Sequence, residues 1–165
     1  MDFVVEAMAP EDWGQVRAIY EEGIRAGNAT FETSAPSWKQ WDQAHLPCCR
    51  LVARRAGAVV GWAAVTPVSA RKAYAGVAEV SLYVSEKEQG KGVGTALQEE
   101  LTRQSEAHGT WTLQGVVFAE NTASLALLKK TGFREVGRRE RISQLDGRWR
   151  DTILLERRSL VIGKD

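Results

Sequence analysis

At 165 residues the chain is long enough for one full hydrophobic core and too short for two ordinary domains. A formal charge of +1 offers no bulk attraction to nucleic acid, and no apolar run approaches the length of a membrane span. Met1 to Glu6 lack the basic region and apolar core of a signal peptide, so the expected location is cytoplasmic, away from membranes.

In chain order, Phe3 to Ala7 alternates as a strand, and Pro10-Glu11-Asp12 opens a helix whose Trp13, Val16, Ile19 and Tyr20 share one side. Asn28 to Glu32 breaks that pattern as a loop, and Pro36-Ser37-Trp38 starts a second, short helix. The adjacent Cys48 and Cys49 suit neither a structural disulfide nor a zinc knuckle and are expected to be small strand residues. With His45 and His108 far apart in sequence, no metal site is expected. Arg50 to Val65 reads as a hairpin turned around Gly57, followed by a loop from Pro67 to Ala75. Glu79 to Val84 is a strand, and a helix runs from about Gly92 to His108. A strand at Trp111 to Val117 comes next, then a helix capped by Asn121 that turns Leu125 and Leu128 inward and stops at Gly132. Phe133 begins another strand, and two final strands meet around Gly147-Arg148-Trp149. Arg138 to Arg141 and Arg157-Arg158 read as solvated strand ends. The order βααβββαβαββ describes an α/β fold, one domain over residues 1–165 with a mixed sheet and helices on both faces.

The most informative stretch runs from Glu79 to Leu97. Val80, Leu82 and Val84 alternate with Ser81 and Tyr83 as in a strand, whereas Val93, Leu97 and Leu101 repeat at helical spacing. Between them Gly90, Gly92 and Gly94 occupy every second position, which lets the backbone turn sharply and aim free N–H groups at an anion. Lys91 precedes two of the glycines instead of following them, so the turn is not a P-loop. Position 97 is Leu, so a dinucleotide-binding turn fails as well.

What fits is Gln89-x-x-Gly92-x-Gly94 directly after a strand, which resembles the pyrophosphate-binding motif of the GNAT N-acetyltransferase superfamily. Asn121-Thr-Ala-Ser124-Leu through Gly132-Phe133 resembles that superfamily's second signature. Thr30-Phe31-Glu32-Thr, Arg71-Lys-Ala-Tyr74 and Gly147-Arg-Trp149-Arg-Asp151 are further similar to the phosphinothricin and methionine sulfoximine acetyltransferase branch. The resemblance implies acetyl-coenzyme A as donor, the α-amino group of a small amino-acid analogue as acceptor, and a homodimer.

Donor binding would then use the N–H groups of Gly90, Lys91, Gly92, Val93, Gly94 and Thr95, with Gln89 in the motif and Lys91 either adding charge or standing as a surface lysine. The resemblance implies that the pantetheine arm lies along Leu82, Tyr83 and Val84, with Asn121 and Lys130 on its other side. Glu79 sits roughly 17 Å up the strand from the turn at about 3.3 Å per residue, close to the reach of an extended pantetheine. It is therefore the candidate base, acting through a water, unless it merely bonds neighbouring backbone or a basic residue. Thr30, Phe31, Glu32, Lys72, Ala73 and Tyr74 are the candidate acceptor residues, with Arg71 as a second cation and Trp62 as an apolar wall. Many relatives carry a tyrosine acid where this chain has Leu128, so no general acid is assigned. Acetylation of a protein N-terminus or lysine, or an inert coenzyme A-binding module, are the other readings the residues leave open.

Overall fold

The computed structural model describes residues 2–165; Met1, where the predicted domain begins, lies outside the described residues. The elements are β1 (Val4–Ala7), α1 (Trp13–Ala26), α2 (Trp38–Ala44), β2 (Leu51–Arg55), β3 (Ala58–Pro67), β4 (Val77–Val84), α3 (Val93–Ala107), β5 (Thr112–Phe118), α4 (Thr122–Lys130), β6 (Arg134–Leu145) and β7 (Arg148–Arg158). This is the predicted order, with single 3-10 turns at Pro10–Asp12, Lys72–Tyr74 and Glu86–Glu88.

Local chemistry explains most boundaries. Gly27 closes α1 at a φ of +73°, a conformation that carries little penalty without a Cβ. Ser37 and Gln40 form a reciprocal capping box at the start of α2. Ala56-Gly57 and Asp146-Gly147 each take two positive φ values in succession, as tight hairpin turns require.

The strands form one sheet in the order β1-β2-β3-β4-β5-β7-β6. Only β4 and β5 run parallel, with α3 as their crossover; every other neighbouring pair is antiparallel. One face of the sheet packs Leu51, Val65, Leu113 and Leu155 against Val93, Leu97 and Leu101 of α3 and Leu128 of α4. The other packs Val52, Val59, Trp62 and Ala64 against Val16 and Ile19 of α1 and Trp41 of α2. Burying a side chain of this size is worth about 1.5–3 kcal/mol, so the helices are held by both faces and not by propensity alone.

Four expectations need correction. Strand β3 continues through Pro67, which pairs with Ala78, so the following loop starts one residue later than predicted. Cys48 and Cys49 precede β2 instead of lying in a strand, because Cys49 has a φ of +66° that no strand accommodates. Arg138 lies within β6 and pairs with Asp151 at 2.6 Å, while Arg157 is mostly buried and donates to Glu106 of α3 at 2.8 Å. Arg138 is solvated as expected but lies inside its strand, and Arg157 is near a strand end but is not solvated. Trp62 is fully buried between the sheet and α1, in the core and not in a ligand wall.

Candidate active site

The sheet opens where its one parallel pair fails. Among the described residues, β4 pairs with β5 only at Val77, Ala78 and Glu79 against Thr112, Leu113 and Gln114. From Val80 to Val84 the β5-facing edge of β4 is left without a strand, and β5 follows β7 away along its whole length. Glu79 therefore stands at the apex of a wedge, its Oε1 accepting a hydrogen bond from Gln114 Nε2 at 2.8 Å.

Two connected cavities fill that wedge. One, of about 640 Å³, is lined by Leu82, Tyr83 and Val84, by Gln89, Gly90, Gly92, Gly94 and Thr95, and by Asn121 and Lys130. The other, of about 420 Å³, is lined by Glu79, Thr30, Phe31, Glu32, Tyr20, His45 and Phe118 among others. Leu82, Tyr83, Asn121, Ser124 and Leu127 belong to both, so the two spaces meet beside β4.

At the far end of the larger cavity the glycine turn opens α3. Gly90 and Gly92 have φ of +75° and +87°, and a Cβ on either would meet nothing within 4 Å, so both serve the backbone turn and leave its surface bare. Gly94 serves packing: a Cβ there would lie 3.2 Å from Leu127 of α4. The first helical bond runs from Ala96 N to Gly92 O. The N–H groups of Val93, Gly94 and Thr95 precede it at the positive end of the helix dipole, an arrangement that favours negative charge.

At the other end, the loop after α1 carries Thr30, Phe31 and Glu32 and is tied down from two directions. Asn121 accepts from Ser124 N at 3.2 Å as the cap of α4 and donates to Asn28 O at 3.0 Å. Arg150 of β7 donates to Gly27 O at 3.1 Å and to Asn28 Oδ1 at 2.7 Å, reaches Glu120 at 3.2 Å, and lies 4.0 Å over the Phe118 ring. Phe118 in turn meets Phe31 edge-on at 4.7 Å.

Electrostatics in this cavity favour neutral donors. Tyr20 and Tyr83 stack at 4.9 Å, and burial pushes both phenols above their usual range, with Thr30 opposing the rise in each. Both stay protonated at neutral pH. His45 donates from Nδ1 to Trp41 O at 2.7 Å and stacks on Trp41; burial first, and Arg50 to a smaller degree, hold its pKa below the usual value. Buried Gln98 and Thr152 line the same cavity with Oε1 and Oγ1 lacking a protein partner, leaving them for a ligand or water.

The remaining candidates lie elsewhere. Lys91 is exposed and 3.8 Å from Glu88, outside both linings. The Val93 side chain is buried in the core, so only its backbone faces the turn. Lys72, Ala73 and Tyr74 form an exposed turn outside both cavities, with Arg71 stacked 5.5 Å over Tyr74. Leu128, by contrast, lines the smaller cavity and packs against β5, where a Cβ on Gly115 would come within 2.7 Å of it. Sequence reading placed Tyr20 on a core face, weighed His45 only as a metal ligand and gave Arg150 no role of its own. The one signal for Arg150 was the motif around Gly147, in which it stands.

Residues 13–133 match the model of the Acetyltransferase (GNAT) family. Phosphinothricin N-acetyltransferase of Alcaligenes faecalis is 33% identical over 162 residues, covering 93% of this chain and 81% of that protein. A phosphinothricin acetyltransferase from Sinorhizobium meliloti, solved in complex with AcCoA, superposes with a TM-score of 0.86 at 29% identity, over 96% of this chain and 89% of that one. Ribosomal-protein-alanine N-acetyltransferase from Brucella melitensis gives a TM-score of 0.86 at 26% identity, over 94% and 99%. With most of its length in the family match and a wedge-split mixed sheet beneath a glycine turn, the chain belongs to the acetyltransferase (GNAT) family.

Proposed function

We propose that the chain moves the acetyl group of acetyl-coenzyme A directly to the α-amino group of a small amino-acid analogue of the phosphinothricin or methionine sulfoximine type. The observation that carries this reading is the position of Glu79 at the apex of the wedge, between a cavity ending in the glycine turn and one closed by Thr30, Phe31 and Glu32. The pyrophosphate sits on the N–H groups from Gly90 to Thr95, and Lys130 faces the same cavity. The pantetheine amides pair with the open edge of β4 between Val80 and Val84, as an added strand would. Only a carboxylate at the far end of that edge meets the thioester.

The reaction then balances simply. Glu79 takes a proton from the acceptor ammonium through a water, and the free amine attacks the thioester carbonyl carbon. The new C–N bond forms as the C–S bond breaks, and coenzyme A leaves as a thiolate, a tolerable leaving group without an assigned acid. No acyl-enzyme intervenes. Among the described residues the acceptor cavity is lined by no Lys or Arg, so in this reading an acceptor carboxylate takes its cation from the Arg71-Lys72 turn, outside the cavity lining, of this protomer or of a second copy in a homodimer. Residues 1–165 act as one domain.

The test is release of free thiol from acetyl-coenzyme A with methionine sulfoximine, methionine sulfone, phosphinothricin, spermidine and peptides. The analogues are expected to exceed spermidine by roughly ten- to hundredfold in kcat/KM, because spermidine has no carboxylate to pair with the cation of the Arg71-Lys72 turn. Preference for a peptide amine would replace this acceptor class with a protein N-terminus.

A further inference from the structure

The fold assembles a second chemical cluster away from the wedge. Cys48 and Cys49 lie between α2 and β2, and His108 closes the far end of α3. Their ligand atoms, Sγ, Sγ and a ring nitrogen, all lie within 4.8 Å of one another. The two sulfurs are 3.0 Å apart.

Neighbouring residues in an extended chain point to opposite sides. Here they point together because Cys49 adopts a φ of +66°, a conformation uncommon outside glycine. Strained backbone of this kind clusters at ligand clamps, and a glycine would hold the same turn without the strain, so the cysteine is kept at a cost. His108 is arranged to match. Its Nδ1 lies 2.9 Å from Gln104 O, and a carbonyl can only accept, so Nδ1 carries the proton and Nε2 keeps its lone pair. A ring N–H held by a backbone carbonyl is the usual support of a metal-bound imidazole.

We propose that Cys48, Cys49 and His108 form a site for a thiophilic divalent cation of the zinc type. Two thiolates and a neutral imidazole are a known zinc ligand set, with a fourth, tetrahedral position left to water. At a zinc–sulfur distance of about 2.3 Å the sulfurs of a tetrahedral site stand roughly 3.8 Å apart, so binding opens the pair by a small side-chain rotation. Each thiol loses its proton to solvent as its bond to the metal forms, and no electron moves. The bound ion ties the end of α3 to the start of β2 and so steadies the helix whose other end is the glycine turn.

The test uses the full chain, reduced and stripped with chelator, titrated with Co²⁺ and then Zn²⁺. The expected result is a thiolate-to-cobalt absorption band that saturates at a single equivalent and is displaced by zinc. His108→Ala, at an exposed position, should weaken affinity by roughly ten- to hundredfold. Cys48→Ser, at a half-buried position, should abolish the band while the variant still melts cooperatively. Zinc should raise the melting temperature of the native chain and not of Cys48→Ser. A folded, reduced native chain with no thiolate band would overturn the proposal, as would undiminished affinity in His108→Ala. So would loss of both thiols with a mass lower by two hydrogens and no metal bound, which would make the pair a disulfide instead.

Discussion

Replacing Arg150 by alanine should separate acceptor handling from donor handling. The guanidinium donates to Gly27 O and Asn28 Oδ1, pairs with Glu120, and covers the Phe118 ring from a largely buried position. Hydrogen bonds from a charged donor contribute about 1.5–3 kcal/mol each, whereas the Glu120 pair is half in solvent and adds at most about 1 kcal/mol. Freeing the side chain returns about 2 kcal/mol of rotamer entropy. The net loss is therefore about 1–5 kcal/mol, or roughly 2–20 °C in melting temperature for a chain of this length. The functional effect should exceed the thermodynamic one, because these bonds hold the loop that presents Thr30, Phe31 and Glu32. A loop displaced by an ångström costs about ten- to hundredfold in kcat/KM for the acceptor. Acetyl-coenzyme A affinity, measured by calorimetry, should fall less, by no more than about tenfold, since Asn28 lines the donor cavity but the glycine turn is untouched. Arg150→Lys should recover charge without the forked geometry and fall between the two. A variant melting within about a degree of the native chain, with unchanged acceptor kinetics, would refute the claim that Arg150 positions this loop.

Three further perturbations probe the rest of the site. Glu79→Gln keeps the bond to Gln114 available but cannot take a proton, so turnover near neutral pH should drop on the order of a hundredfold with little change in donor affinity; full turnover would place deprotonation in bulk solvent. In Gly92→Val the Cβ meets no protein atom within 4 Å but the branched side chain is forced to a φ of +87°, costing about 1–3 kcal/mol, and the variant should fold while losing acetyl-coenzyme A binding by calorimetry. Equal affinity in the folded variant would remove this turn from the site. His45 titrates below its usual value of 6.5, so below that pH the unfolded chain binds more protons than the folded one and stability falls as pH drops, with no contribution above it. Melting temperature against pH should show that decline and a flatter slope in His45→Asn; parallel curves would assign the acid sensitivity to other groups.

The parts of the site that were legible in the sequence are those built by local rules. Gly90 and Gly92 announce a left-handed backbone, Asn121 announces a cap, and the alternation through Glu79 to Val84 announces a strand. Each of these needs only a few consecutive residues, so chain order alone exposes it. His45 and Tyr20 line the acceptor cavity from the end of α2 and from α1, Arg150 of β7 ties down the loop beside it, and no local pattern distinguishes these residues from an ordinary surface arginine or core aromatic. The same limit hid His108 beside Cys48 and Cys49: metal-ligand spacing in sequence says nothing about a ligand supplied by the far end of a helix. Lys91 shows the converse, because a lysine inside an anion-binding motif is drawn to Glu88 on the surface instead.

The wedge itself is the feature sequence could least express. Val80 to Val84 alternates whether or not a strand lies on its far side, since side-chain period reports faces and not edges. What opens that edge is the behaviour of its neighbour. β5 stays paired with β7 from Thr112 to Phe118, so it follows the twist of the β6–β7 hairpin and leaves β4 after Glu79. Gly115 then lets α4 close in, because any Cβ there would collide with Leu128. The leucine that stands where many relatives have a tyrosine acid thus has a packing role of its own. Leu128 also lines the acceptor cavity, but a tyrosine there would have to displace its packing on β5, an overpacking cost of about 1–3 kcal/mol, so any gain in turnover from Leu128→Tyr should come with a lower melting temperature.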